Sequence, residues 1–415
     1  MASPPRRHAV AIRANLRQRA TDALHFYRYP RHLRGIVLFL PPPVVATMAR
    51  PISKVRLMSL RSLVVRAIDV GYGHIKFSEG REPTQPHAIR TDSIPSQSPG
   101  AKPGLHQPSG VMKQRDTFIV PAGDRQFEVG RQVHLALHGS QETEVLDENF
   151  PLSAAYAARL YGALNYMAPG IVDDTIDVLI LGLPLNTYPK HHHALAQRFT
   201  GTHVINARGD AMTIKSCHVY PQPLGSYMCH MFASPGGGEP PLALSIDPGY
   251  NTVDWFVCQG MSANDARSGA VPRGMGAVIR AIADDMIRVH GFDATPAEMV
   301  RSLDISLSTG RPFTRYGTVF DLAPHLSAGD EVINEAVQAL KNCVGSGADI
   351  DVVILTGGGA SFYSSAVAAK FPHHRVVTLD NPAHANVRGF HLVGEMLARS
   401  LEQALRLRTP AEAAT

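Results

Sequence analysis

Leu63-Val64-Val65-Arg66-Ala67-Ile68 is apolar but for one arginine, and its β-branched content marks a buried strand. It runs into Asp69-Val70-Gly71-Tyr72-Gly73-His74-Ile75-Lys76-Phe77, which reads as strand end, glycine turn and returning strand. The same grammar recurs in Leu242-Ala243-Leu244-Ser245-Ile246, followed by Asp247-Pro248-Gly249-Tyr250-Asn251-Thr252-Val253-Asp254-Trp255. Asp69 and Asp247 stand 178 positions apart, and duplication of one unit is the economical explanation. Between them, Thr117-Phe118-Ile119-Val120 and Gln126-Phe127-Glu128-Val129 flank Ala122-Gly123-Asp124-Arg125 and predict a hairpin. Helix is expected over 151–167, with Pro151 in its first turn, and over 188–199 and 224–232. Strands are expected over 175–181, 203–206 and 212–219, the first closing on Gly182-Leu183-Pro184-Leu185. After Arg273-Gly274-Met275-Gly276, the spacing of Val278, Ile279, Ile282, Met286 and Ile287 predicts an amphipathic helix. A helix over 330–343, a buried strand over 351–356 running into Gly357-Gly358-Gly359, and a last helix over 386–404 complete the pattern. Residues 81–111, rich in Pro, Ser and Gln, and residues 234–241 read as loops.

Composition narrows the class. A chain of 415 residues, 44% hydrophobic and 18% charged, is long enough for two globular domains. The longest apolar candidate, 35–49, is broken by Pro41-Pro42-Pro43, so no membrane span is predicted. The four cysteines show no ligand spacing and point to a reducing cytoplasm. Charge is uneven. Residues 1–62 hold twelve Lys/Arg and one acid, Asp22, so of the overall +5 this segment carries +11 and the remainder −6. A mildly acidic body argues against direct nucleic-acid binding by the folded part. The extension is Arg-rich like a transit peptide but lacks its serine enrichment, and its Pro-broken apolar stretch does not suit a secretory signal. Two readings remain: translation starting at Met48 or Met58, or an arm that touches DNA or membrane. The expected organisation is a basic extension (1–62), a first lobe (63–235) with an insertion at 81–111, a second lobe (236–404) and a tail (405–415).

The turns carry the chemistry. Glycines after a strand-terminal Asp let backbone N–H groups approach an anion, because no Cβ intervenes. Lys76, on the returning strand, can neutralise a phosphate, and Asp69 can hold Mg²⁺ through water. Asp247, Gly249 and Thr252 offer a second carboxylate, more N–H donors and a hydroxyl. An ordinary glycine hairpin accounts for either turn alone; two facing hairpins would clamp a triphosphate and its metal. Gly357-Gly358-Gly359, between a strand and a helix, permits backbone approach to a planar ligand or phosphate. It lacks the Gly-Lys-Ser/Thr of a Walker motif and the spacing of a dinucleotide fingerprint.

In that order, these motifs resemble the actin/chaperone/sugar-kinase ATPase superfamily over about 63–400, and within it the ParM/StbA group of plasmid-partition proteins. The likeness extends to Leu181-Gly182-Leu183-Pro184-Leu185 and Asp380-Asn381-Pro382-Ala383-His384-Ala385-Asn386-Val387-Arg388-Gly389-Phe390. More narrowly, the texture is similar to the protein D family of PRTRC plasmid systems. The resemblance implies an α/β, actin-like (ribonuclease H-like) duplicated two-lobed fold that binds and hydrolyses ATP with Mg²⁺. It implies a first phosphate loop of Asp69, Gly71, Tyr72, Gly73, His74 and Lys76, and a second of Asp247, Gly249, Tyr250, Asn251 and Thr252. Asp69 and Asp247 would hold the hydrated metal, and Gly357, Gly358 and Gly359 would pack on adenosine. The catalytic pair would be Asp247 and Gln222; the latter lies in Pro221-Gln222-Pro223-Leu224-Gly225 and would orient water, since Gln is no general base. Tyr72 and Tyr250 depart from the small residues common there, so their side chains must turn away from phosphate.

The implied partners are further copies of the chain in a filament and a centromere-binding adaptor, with plasmid DNA reached only indirectly and no membrane involved. A non-polymerising ATPase, chaperone-like or regulatory, and a small-molecule kinase are the alternatives. No sugar-specific constellation favours the kinase, and no peptide-binding domain follows the last helix. A vestigial cleft in a structural or DNA-binding protein is disfavoured by the presence of Asp69, Asp247, Lys76 and Gln222 together. His191-His192-His193 reads as a solvated helix, because consecutive helical residues do not share a face. His373-His374 is read likewise, Trp255 as packing, the cysteines as buried structural residues, and Arg388 as a surface pairing residue.

Overall fold

The structure, a computed structural model, describes residues 62–102, 114–137, 148–233 and 239–408. The basic extension with Met48 and Met58, parts of the two predicted loops and the end of the tail lie outside the described residues.

β1 (Val65–Val70) and β2 (His74–Arg81) form the expected hairpin, and β3 (Ile89–Pro95) pairs with β2, antiparallel. The reading of 81–111 as loop is therefore corrected over β3. This is an edge strand in which only Ile94 is fully buried, so its sequence lacks a clean apolar alternation. β4 (Phe118–Ala122) and β5 (Arg125–Val129) make the predicted second hairpin. α1 (Ala154–Met167) begins after Ser153, whose Oγ accepts the Tyr156 N–H at 3.0 Å; Pro151 sits in a 3-10 turn ahead of it, outside the helix. The run 175–181 splits into β6 (Thr175–Ile176) and β7 (Val178–Leu183), followed by α2 (Tyr188–Phe199). β8 (Gly201–Val204) and β9 (Ala211–Ile214) join β6 in a small sheet, while β10 (Cys217–Pro221) pairs with β7. What reads as one strand over 212–219 thus breaks between two sheets. The break is held by Asp177, whose carboxylate receives Lys215 Nζ at 2.6 Å and whose carbonyl receives Ser216 Oγ at 2.8 Å.

α3 (Gln222–Ala233) leads to the second half. There β11 (Leu242–Pro248), β12 (Val253–Gln259), β13 (Ser262–Ala263) and β14 (Gly269–Val271) precede α4 (Met275–His290) and α5 (Pro296–Thr309). A short hairpin, β15 (Phe313–Arg315) and β16 (Thr318–Phe320), comes before α6 (Asp330–Val344), β17 (Val352–Leu355), α7 (Ala360–Lys370), β18 (Val376–Thr378) and α8 (Ala385–Arg408). α5 was not expected, although Thr295 and Glu298 form a capping box with Pro296 at the first turn.

Two sheets organise the body. The five-stranded one runs β10-β7-β1-β2-β3, and the six-stranded one runs β13-β12-β11-β17-β18 with β14 on β12. Each has parallel strands beside an antiparallel hairpin, so the duplication is visible in the topology. One face of each sheet packs its own core: Ile68, Phe77 and Leu179 with α1, and Leu244, Ile246 and Val353 with α4 and α6. Each such fully buried aliphatic side chain contributes about 1.5–3 kcal/mol.

The other faces are covered by exchanged helices. α3, from the first half, sets Leu224, Tyr227 and Met228 against Ala243, Phe256 and Ile354 of the second sheet. α8, from the second half, sets Val387, Phe390 and Ala398 against Val65, Ala67, Val178 and Ile180 of the first. A cut at 235/236 therefore follows the strands, while the two helices cross it. No helix among the described residues is long and apolar enough to span a membrane.

Candidate functional site

In the β1–β2 hairpin Asp69 is the register partner of Lys76, so both side chains leave the same face. Asp69 is buried, and the turn between the strands is closed by Gly71 N–H on the Asp69 carbonyl at 3.0 Å. Gly71 must be glycine, since a Cβ there would lie 2.8 Å from the His74 carbonyl oxygen. β10 ends two strands away from β1, and the chain turns at once into α3, bringing Gln222 Nε2 to 2.6 Å from Asp69 Oδ1. Asp69 and Gln222 thus stand at the C-terminal ends of parallel strands, where open α/β sheets place their ligand crevices. Gly182 makes the approach possible: a Cβ on it would meet Phe390 at 2.6 Å and Gln222 Cγ at 3.2 Å.

The second hairpin repeats the arrangement. Asp247 and Asp254 are register partners on β11 and β12, and Gly249 N–H closes the turn on the Thr252 carbonyl at 2.8 Å. The N–H groups of Gly274, Met275 and Gly276 donate to the carbonyls of Asn251, Gly249 and Tyr250 at 3.1, 2.9 and 2.7 Å. The turn thus caps α4 and commits to the helix three carbonyl oxygens that would repel a phosphate. Asn386, at the start of α8, donates from Nδ2 to Asp247 Oδ2 at 2.6 Å, matching Gln222 on Asp69. Asp254 receives the Thr252 hydroxyl at 2.5 Å and the Leu185 N–H at 3.4 Å, the latter from the loop after β7.

The two turns meet. The Tyr250 ring is wedged between backbones, 3.1 Å from the place of a Cβ on Gly73 and 3.1 Å from one on Gly276. Tyr72 points into the first half, its ring stacked on Phe150 at 6.3 Å. In the glycine triplet, Gly357 has φ +80°, and a Cβ on it would fall 2.2 Å from Asp247 Oδ1. A Cβ on Gly359 would meet Met275 at 2.8 Å and Pro248 at 3.0 Å, whereas one on Gly358 meets nothing within 4 Å. Two of the three glycines are therefore demanded by packing on the second hairpin, and Gly358 leaves an open face.

Electrostatics single out the same groups. Burial raises the Asp247 carboxyl, with Lys76 and Asn386 opposing and Asp69 adding to the rise. Burial, with the neighbouring Asp247 and Asp69 charges, pushes Asp254 up to about 7, against the Thr252 bond. His74 is lowered to about 4 by burial and Lys76, and His384, which meets Thr91 Oγ1 of β3 at 2.8 Å, is lowered to about 4 by the same causes and Arg388. Both imidazoles are neutral at pH 7, so neither adds a positive charge beside Lys76. Among the described residues no three His, Cys, Asp or Glu side chains converge as metal ligands. Two buried, mutually repelling carboxylates suit a dication that keeps most of its water, as Mg²⁺ does.

All the expected residues thus lie on the two hairpins, the glycine turn and the start of α3. Asn386 appeared only within the likeness over 380–390 and Asp254 only as the end of the second turn, while Ser226 had not been singled out. Asp254 is placed by its pairing with Asp247 on β12; the role of Asn386 and Ser226 depends on the crossing of α3 and α8, and the local hint was only an Asn three residues before Gly389 at a helix start. His191 proves buried and is not part of a solvated face; His192 stacks on Tyr188 at 4.6 Å. Cys217 and Cys258 are buried, Cys229 and Cys343 partly so. Arg388 donates to the backbone carbonyls of Asp380 and Asn381.

Residues 67–225 match the family of actin-like proteins, N-terminal domain. No curated protein sequence matches the chain significantly. Among solved structures, an archaeal actin homologue is 18% identical with a TM-score of 0.61, covering 80% of this chain and 100% of its own; its complex with ADP gives 0.60 at 17% identity. A 15-stranded ParM filament from Clostridium botulinum gives 0.62 at 17% identity, covering 81% and 100%. The apo psk41 ParM protein gives 0.57 at 18%, covering 82% and 100%. The duplicated sheets, the exchanged helices and these likenesses together give the chain an actin-like two-lobed fold.

Proposed function

We propose that this chain is an ATP hydrolase that holds Mg-ATP between its two hairpins and assembles with further copies of itself into filaments that segregate plasmids. The observation that carries the reading is the duplicated pair of amide–carboxylate contacts, Gln222 on Asp69 and Asn386 on Asp247, at glycine turns that face each other. Lys76 would neutralise phosphate charge from the face it shares with Asp69. Asp69 and Asp247 would hold the hydrated Mg²⁺, which when bound supplies charge neutralisation at the phosphates. Gln222, its amide fixed by Asp69, would present its carbonyl to the attacking water; it cannot take the proton. Asp254, titrating near neutrality opposite Asp247, is the carboxylate able to take one up at pH 7. The backbone around Gly358 would receive the adenosine.

Support for nucleotide comes from the archaeal homologue solved with ADP, and for assembly from the ParM filament. A net charge of −6 outside residues 1–62 favours an adaptor between filament and centromere DNA, and the cytoplasm is the setting. The narrower likeness to PRTRC protein D would place the chain on such a plasmid. Sedimentation of the protein with Mg-ATP, Mg-ADP or no nucleotide tests the reading, with phosphate release followed in parallel. ATP-dependent pelleting that fades as phosphate appears is the expected result. Hydrolysis without pelleting would remove the filament and leave a non-polymerising ATPase; phosphorylation of an added small molecule would make it a kinase; neither turnover nor pelleting would refute both parts.

A further inference from the structure

The two amide–carboxylate contacts are related by the duplication, yet their free ends differ. A carboxylate only accepts hydrogen bonds, so the NH₂ groups of Gln222 and Asn386 must face Asp69 and Asp247. Gln222 Oε1 then meets no protein donor among the described residues. Asn386 Oδ1, in contrast, receives the Ser226 N–H at 3.1 Å and the Ser226 hydroxyl in a still shorter contact. Ser226 is fully buried and Asn386 nearly so.

This bridge lies where α3 and α8 cross. A Cβ on Gly225 would fall 2.4 Å from the Asn386 carbonyl oxygen, and one on Gly389 would fall 1.7 Å from the Gly225 carbonyl oxygen. The two backbones therefore touch, and neither helix can slide without moving Asn386. Because α3 covers the second sheet and α8 the first, a rotation of one sheet relative to the other passes through this contact.

We propose that Asn386 is a positioning residue that ties the Asp247 carboxylate to the α3–α8 crossing, so that the placement of Asp247 and the relative angle of the two sheets change together. Its consequence for turnover rests on the nucleotide-site reading above; the mechanical link does not. Asn has two side-chain torsions, and both ends of its amide are committed, so it transmits displacement with little slack.

The full-length protein tests this in two ways. The first is a nucleotide-free cycle by hydrogen exchange. Asp247→Ala should speed exchange of the Ser226 amide about tenfold, and by less than about twofold when Asn386→Ala is also present. No response at Ser226, or an equal response in both backgrounds, overturns the link. The second is steady-state kinetics of Asn386→Ala, which removes the donor to Asp247 without placing a charge beside it. Its kcat should fall about 100-fold with KM for ATP within about threefold, and Asn386→Ser should not restore it. Wild-type kcat in that variant overturns the functional half. If the wild-type protein does not hydrolyse ATP, the nucleotide reading fails by itself and the exchange cycle still decides the link. Should Asn386→Ala not fold, Asn386→Leu, uncharged and close to Asn in size, replaces it in both experiments.

Discussion

Asp254 offers a quantitative test of the site's electrostatics. Its carboxyl is raised from an ordinary 3.8 to about 7, chiefly by burial. A rise of about three units corresponds to about 4 kcal/mol between the two protonation states. The residue is only 3% exposed, so solvent does little to screen this figure. The sign follows from linkage. Well below its ordinary 3.8 the group is protonated whether the chain is folded or not, and no penalty exists. As pH rises from 4 to 7 the unfolded chain releases the proton while the folded chain retains it, and stability falls; above pH 7 the full cost is felt. Asp254→Asn removes the charge and keeps an acceptor for Thr252 Oγ1. Relative to wild type it should gain about 3–4 kcal/mol in unfolding free energy at pH 8 and only about 1 kcal/mol at pH 4.5. Urea unfolding at the two pH values measures both. A difference between them below about 1 kcal/mol would show that Asp254 is ionised without strain, and would remove it as a proton acceptor at neutral pH.

Other substitutions probe separate parts of the account. Gly389→Ala places a methyl 1.7 Å from the Gly225 carbonyl oxygen, so thermal unfolding should show a loss of at least about 3 kcal/mol; a change under about 1 kcal/mol would mean the helices do not touch. Glu395 is paired to Arg81 at 2.7 and 2.5 Å; burial opposes its ionisation, yet Arg81 and His391 hold it down to about 2. With the partial exposure of the pair allowed for, Glu395→Gln should cost about 1–2 kcal/mol at pH 7, an effect that fades as pH falls from 4.5 toward 2; a cost that does not depend on pH would contradict the pairing. Lys76→Met should weaken Mg-ATP binding about 10–100-fold in a fluorescent-nucleotide titration, with a shallower salt dependence, and unchanged affinity would take Lys76 out of the site.

What the sequence disclosed and what it hid have physical reasons. The hairpins at Asp69 and Asp247 were legible because each joins a fully buried strand to glycines that only a tight turn requires. Gln222 was reached through resemblance, not through pattern, since a helix-initial Gln carries no local signal of its target. β3 escaped because an edge strand exposes one side, and β9–β10 because the only local mark of the break is a one-position phase shift across Lys215-Ser216, from Met212 and Ile214 to Cys217 and Val219. Asn386 and Ser226 were hidden for a deeper reason: both are ordinary helix residues whose partners lie 139 and 160 positions away. The exchange of α3 and α8 between sheets is likewise a long-range fact that amphipathicity alone cannot assign. Gly357 and Gly359 look like ligand glycines in sequence, but the Asp247 carboxylate and Met275 already require them.

The central claim is that two facing carboxylates, Asp69 and Asp247, hold a magnesium-bound nucleotide. Calorimetric titration of the full-length protein with ATP, with and without Mg²⁺ and beside Asp247→Ala, tests it most directly. The account predicts one site, weakened at least about tenfold by omitting Mg²⁺ and by the substitution. Absence of binding, or binding indifferent to both Mg²⁺ and Asp247, would contradict it.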